Sequence, residues 1–221
     1  MKWFKGSLVA ATIAAGLTLL AWPHPAISVQ DGGVHGKVSF GKNAPAAGVV
    51  VYIEGVKGRT QRSTATIAQK NKQFTPGLTV VPKGSTVDFP NNDKIFHNVF
   101  SVSRTARFDL GLYKSGSSKS VKMRRAGEVD VYCNIHPKMI AKIKVVDSNY
   151  YAVTGRDGTF RIDGVPAGTY TIIAWQPHGT QAKSQVTIGQ GSKTRRDFSL
   201  RKGKKPRHHM RKDGTPYGRY Q

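Results

Sequence analysis

The chain has 221 residues, enough for one or two domains with true cores, and 38% of them are hydrophobic, an ordinary globular composition. Thirty-five Lys+Arg stand against twelve Asp+Glu, a formal net charge of +23, which implies an anionic partner: an acidic protein face, an anionic membrane surface or nucleic acid. A single cysteine leaves no partner for a disulfide within the chain.

The first residues narrow these choices. Lys2 and Lys5 precede an apolar run from Leu8 to Trp22 and a small-residue site at Ala26-Ile27-Ser28. That order predicts an export signal over residues 1–28, with an uncleaved membrane anchor as the rival. No cysteine follows the run, so there is no lipid attachment point. A periplasmic or secreted location removes nucleic acid as an expected partner. It also sharpens the problem of Cys133, because a lone exposed thiol is oxidised outside the cytoplasm. The residue therefore needs protection by burial or by a metal.

After the signal, "GGVHGKVSFGKNAPAAGVVVYIEGVKG" reads as two strands joined by a Gly/Asn/Pro turn. Val34 to Phe40 alternates, and Val49 to Ile53 is a short run of the fully buried type. Closely spaced strands follow in "GLTVVPKGSTVDFPNND", "KIFHNVFSVS", "KSVKMRRAGEVDVYCN" and "MIAKIKVVD". Val129, Val131 and Cys133 share one face of their strand. Met139, Ala141, Ile143 and Val145 share one face of the next, with Lys142 and Lys144 opposite. Period two with one polar face predicts an all-β chain of antiparallel sandwiches. From Asn149 onward, "GRDGTF" and "GVPAGTYTIIAW" mark tight turns feeding strong strands. The last 21 residues hold eight Lys/Arg and one acid, which predicts a disordered basic tail over 201–221.

The chemistry concentrates in "VYCNIHPKMI". Cys133, His136 and Met139 follow one another at intervals of three, and "FPNNDKIFHNVFS" supplies His97 upstream. One thiolate, two imidazoles and a thioether form the ligand set of a blue-copper site, with Cys and both His in a plane and Met as a weak axial ligand. Zinc would recruit more Cys, His or carboxylate and has little use for Met. A Cys–His nucleophile pair lacks an evident orienting residue or oxyanion motif, so no catalytic set is expected. His35 and His178 sit alone near turns and read as solvated. His208, His209 and Met210 could bind copper loosely, yet the tail reads more simply as charge.

These residues resemble the cupredoxin family. The C-x-x-H-x-x-M loop with Pro137 after the histidine is most similar to amicyanin, and the resemblance covers about residues 64 to 147. It implies one type 1 copper held by His97, Cys133, His136 and Met139. It further implies that Asn98 tethers the ligand loops. The segment "SRTARFDLGLYKSGSSKS" is longer than amicyanin's, so partner recognition does not carry over. The flanking segments resemble the carboxypeptidase regulatory-like, or transthyretin-like, seven-stranded sandwich. That implies a discontinuous module of residues 33–60 and 148–200 with the copper module inserted. The rival is two domains in series.

The function expected is one-electron transfer in the periplasm, without catalysis. Lys122 to Arg125, the Lys142/Lys144 face and the tail are expected to steer the chain to acidic redox proteins or anionic membranes. A non-redox copper carrier and an envelope interaction module are the alternatives.

Overall fold

The computed structural model describes residues 31–56 and 60–218. The export signal lies outside the described residues. Among those described, no helix is long and apolar enough to cross a membrane. The chain is all-β, with nineteen strands among the described residues.

Three strands come first: β1 (Gly32–Phe40), β2 (Ala44–Pro45) and β3 (Val50–Glu54). Ten follow: β4 (Thr64–Thr66), β5 (Ala68–Lys70), β6 (Gln73–Thr75), β7 (Leu78–Pro82), β8 (Thr86–Pro90), β9 (His97–Val102), β10 (Arg107–Tyr113), β11 (Ser118–Lys122), β12 (Gly127–Cys133) and β13 (His136–Val146). The last six are β14 (Tyr151–Val153), β15 (Thr159–Val165), β16 (Gly168–Trp175), β17 (Gln181–Ile188), β18 (Lys193–Arg195) and β19 (Phe198–Leu200).

Strand pairing divides these elements into two sets. β1 pairs with β15 on one side and with β18 and β19 on the other, while β14, β3, β16 and β17 form the facing sheet. Strands β4 to β13 pair only among themselves, in sheets ordered β10-β9-β12-β13-β7 and β11-β8-β4 plus the β5-β6 hairpin. Each set encloses its own core. Val34, Val38, Val51, Ile53, Ile172 and Ile188 belong to the first. Phe89, Val99, Met123, Val131, Ile143 and Met139 belong to the second. Burying each such side chain contributes about 1.5–3 kcal/mol.

In the first set, β1 runs so close to the segment after β18 that the Arg196 amide donates to the His35 carbonyl at 2.9 Å. A Cβ on Gly36 would collide with the Arg196 carbonyl, so only glycine fits there.

The two sets meet along a seam. Val50, Tyr52, Ile173 and Trp175 point away from the first core and pack on Val146, with Leu78 and Val80 alongside. This explains why β3 is apolar at four consecutive positions: both of its faces are covered. It also corrects one expectation. Lys142 and Lys144 do not form a solvated cationic face; both are buried. Alternation marked them as lying opposite the core, but that side of β13 is roofed by the other sandwich. Lys142 pairs with Asp130 at 2.9 Å and Glu128 at 3.4 Å. The Glu128 carboxylate in turn accepts from the Trp175 indole at 2.7 Å. Charges taken out of water this way persist because partners meet them.

The tail is the second correction. The expectation is a disordered basic tail over 201–221, of which residues 201–218 are described. Their Lys/Arg side chains are mostly exposed, but His209, Lys212 and Tyr217 make specific contacts described below. Aromatic and hydrogen-bonding groups set among the charges supply the binding that charge alone lacks.

Candidate metal centre

Each donor is set by a strand end. His97 opens β9 and is wholly buried, because it sits at the end of the inner sheet opposite Tyr113 of β10. Cys133 closes β12 as the last of the inward residues Val129, Val131 and Cys133. The β12–β13 register runs evenly from Gly127↔Val145 to Tyr132↔Ile140 and then shifts, so that Cys133 pairs with His136. The bulge turns the chain back within four residues and brings thiol and imidazole together.

The three donor atoms converge. His97 Nδ1 lies 3.1 Å from His136 Nδ1, and the Cys133 Sγ lies 3.8 Å and 3.6 Å from them respectively. Among the described residues these three form the one such cluster of His, Cys and carboxylate groups. A triangle with these sides has a point about 2 Å from every corner, the length of a bond from a transition metal to nitrogen or sulfur. The residues therefore fit a metal ion, and their softness fits copper. Met139 is fully buried three residues beyond His136, in the same core as Cys133. No distance from its sulfur enters the fit.

Electrostatics favour the neutral, ligating form of His136 but not the thiolate of Cys133. The Asp93 carboxylate accepts from the Lys72 amide at 2.8 Å and stands 3.0 Å from His97 Nε2. The Lys72 amide first, and His97 after it, hold Asp93 down to about 2. An ionised acceptor at Nε2 keeps the proton there and leaves the Nδ1 lone pair facing the thiol. Burial pushes the Cys133 thiol up, while the amides of Ile135, Asn98 and His136 act the other way. Burial and the neighbouring His97 lower His136, which keeps its ring neutral.

Asn98 joins the loops. Its Nδ2 donates to Asp109 Oδ1 at 2.7 Å, and its Oδ1 accepts from the Asn134 amide at 3.2 Å. Behind the site, Tyr113 donates to the Phe89 carbonyl at 2.9 Å and accepts from Gln69 at 2.5 Å, a buried polar brace.

A strap from the C-terminus crosses the outside of the loop. The His209 ring stacks on Tyr132 at 4.4 Å, and its amide donates to the Pro137 carbonyl at 3.2 Å. Lys212 donates its amide to Asn134 Oδ1 at 2.9 Å and pairs with Asp109 at 2.5 Å. The Tyr217 hydroxyl donates to the Cys133 carbonyl at 2.7 Å. Sequence reasoning missed Asp93 and the strap. Asp93 carried a signal, a carboxylate four residues before His97. The strap carried none beyond two histidines and aromatic residues in a basic tail.

Comparison with known proteins gives one family match and several structural likenesses. The carboxypeptidase regulatory-like domain family matches residues 137–201. The match starts within β13, although β13 pairs only with strands of the second set. Rhamnogalacturonate lyase A of Aspergillus niger is 36% identical over 53 residues, 24% of this chain and 11% of that protein. The chain thus spans about a tenth of the length of the curated relatives it matches. Among solved structures, a purple cupredoxin from Nitrosopumilus maritimus is 21% identical, with TM-score 0.34, covering 37% of this chain and 99% of that one. A copper-containing nitrite reductase from Thermus scotoductus is 22% identical, with TM-score 0.37, covering 43% of this chain and 25% of that one. A reduced amicyanin variant is 21% identical, with TM-score 0.36, covering 43% of this chain and 98% of that one. Residues 137–201 are thus similar to carboxypeptidase regulatory-like domains, and part of the chain has structural similarity, at low TM-score, to cupredoxins.

Proposed function

We propose that this chain is a periplasmic type 1 copper protein that carries single electrons between redox partners. His97, Cys133 and His136 hold the ion closely, and Met139 serves as the distant fourth ligand. One observation carries the reading: two imidazole nitrogens and one thiol sulfur meet at 3.1–3.8 Å. The nearest carboxylate, Asp93, is turned to the far side of the His97 ring. Bound copper supplies a one-electron change between its cuprous and cupric states.

The residues of the chain supply rigidity. Asp93 fixes the proton and orientation of His97, Asn98 ties β9 to the 133–136 turn, and the core that Cys133 shares with Val129 and Val131 holds the thiol. Side chains held in this way move little when the charge of the ion changes, and small reorganisation makes electron transfer fast.

We place the chain outside the cytoplasm on the export signal in residues 1–28, with an uncleaved anchor as the alternative. Its organisation in our reading is a regulatory-like sandwich of 33–60 and 148–200 that carries the copper module, 64–147, as an insertion. Its partner is an acidic redox protein, with an anionic membrane surface as the alternative docking place. Two features support partner docking near the site. Phe96 and Leu112, beside His97 and Asn98, are 54% and 57% exposed, and the remaining basic surface steers acidic proteins. We read the chain as a carrier and not an enzyme.

The strap over the Cys133–Pro137 turn favours one other reading, a copper-handling protein in which the tail governs loading. Titration with Cu(II) separates the two. Electron transfer requires an intense thiolate-to-copper absorption band, a matching paramagnetic signal, reversible cycling, and loss of the band in Cys133→Ser. Tight Cu(I) uptake with no colour and no cycling sinks the electron-transfer reading.

A further inference from the structure

A cleft of about 620 Å³ lies beside the metal centre, walled by the β5–β6 turn, the start of β13 and the strap. Its size is that of a small-molecule site. Phe74 and Ile140, both buried, form part of its lining, as do Lys72, Lys138, Lys205 and His208. Among the described residues, no Asp or Glu lines it. None of the three lysines has an ion-pair partner among the described residues. Basic side chains from three separate segments thus surround one hollow with apolar lining.

The turn itself adds a second observation. Asn71 and Lys72 have φ of 53° and 56°, the left-handed pair that a two-residue hairpin turn requires. Glycine is the usual residue at the second position, since any Cβ is disfavoured there. Here a lysine occupies it and lines the cleft, so the turn accepts strain that a glycine would avoid. Asp93 holds this conformation by accepting from the Lys72 amide.

We propose that this cleft binds a small organic polyanion with a flat apolar body, of the class of aromatic polycarboxylates. The apolar lining takes the ring, and the lysines from the three segments take the carboxylates. His136 is part of the same wall. A ligand bound here therefore places negative charge beside the metal and favours its more oxidised state, an effect that rests on the copper reading above.

The test is calorimetric titration of the metal-free protein with benzene-1,3,5-tricarboxylate at about 0.15 M salt, where exposed charges are largely screened. The expected result is saturable binding at one site. It weakens about tenfold or more, a change of roughly 1.4 kcal/mol, in Lys72→Met/Lys205→Met. It is unchanged in Lys122→Met/Arg124→Met, whose residues line a separate basic groove. Equal loss in both variants, equal affinity for inorganic phosphate, or tighter binding of a hexaglutamate peptide overturns the proposal. In those cases the surface responds to charge alone or takes a partner's acidic side chains. Absence of binding to the metal-free protein overturns the cleft and leaves the copper reading intact. Absence of the copper band overturns that reading and leaves the cleft intact.

Discussion

The Lys144 ammonium lies 4.7 Å from the centre of the Trp175 ring and 4.9 Å from that of Tyr52. A cation on β13 is thus clamped by aromatic side chains of β16 and β3, and the seam between the two strand sets is built around it. Trp175 also donates to Glu128, so its removal takes away both a ring and a hydrogen bond. Trp175→Ala should cost about 3–5 kcal/mol in urea unfolding. It should also split the single transition into two, read by following copper-site and far-ultraviolet signals together.

The same pair makes a prediction about pH. Burial, as the largest cause, lowers the pKa of Lys144 from its usual range. Between the folded and unfolded values the unfolded chain binds more protons, so this group makes stability rise with pH below about 10.4. Tyr52 opposes it, since burial holds its phenol protonated well above the ordinary range. Lys144→Met removes the rising contribution and leaves the falling one. Relative to wild type, its urea midpoint should therefore decline as pH rises towards about 10.4. Parallel curves refute the assignment.

Asp93 contacts both the candidate ligand His97 and, through the Lys72 amide, the turn that lines the cleft. Asp93→Ala should weaken copper binding about 10–100-fold, the usual effect of losing a carboxylate behind a ligand histidine. A competition titration against a chelator of known affinity reads this directly. Unchanged affinity, with the metal-free protein still folded, removes Asp93 from the site.

The strap should slow exchange at the loop. Ending the chain after Lys202 leaves the Cys133 carbonyl and the Asn134 side chain without their Tyr217 and Lys212 partners. Amide hydrogen exchange at residues 134–136 of the metal-free protein should accelerate, and copper release should quicken with it. Tyr217→Phe alone should show a smaller change in the same direction, about 1 kcal/mol in local opening. Equal exchange in all three forms contradicts a holding role.

What could be read from the residues alone follows from how local each signal is. The inward set Val129, Val131 and Cys133 was plain because a strand repeats every two residues, and its burial follows that period. The meeting of Cys133 and His136 was plain because the two are near neighbours in sequence. Lys142 and Lys144 misled for a related reason. Alternation says which way a side chain points, while what covers it is decided by Tyr52 and Trp175, far away along the chain. The tail misled because its composition suits a solvated segment, while groups placed by the fold, among them the Tyr132 ring and the Asn134 side-chain oxygen, give His209 and Lys212 something to hold.

β13 begins at His136 and ends in the seam at Val146, ten residues later, a span of about 33 Å in an extended strand. One continuous pleated ribbon therefore joins an imidazole to the contact zone of its neighbour. A pull or slide imposed on the outer sandwich, by an anchored surface or a bound polymer, has a direct mechanical line to that ring.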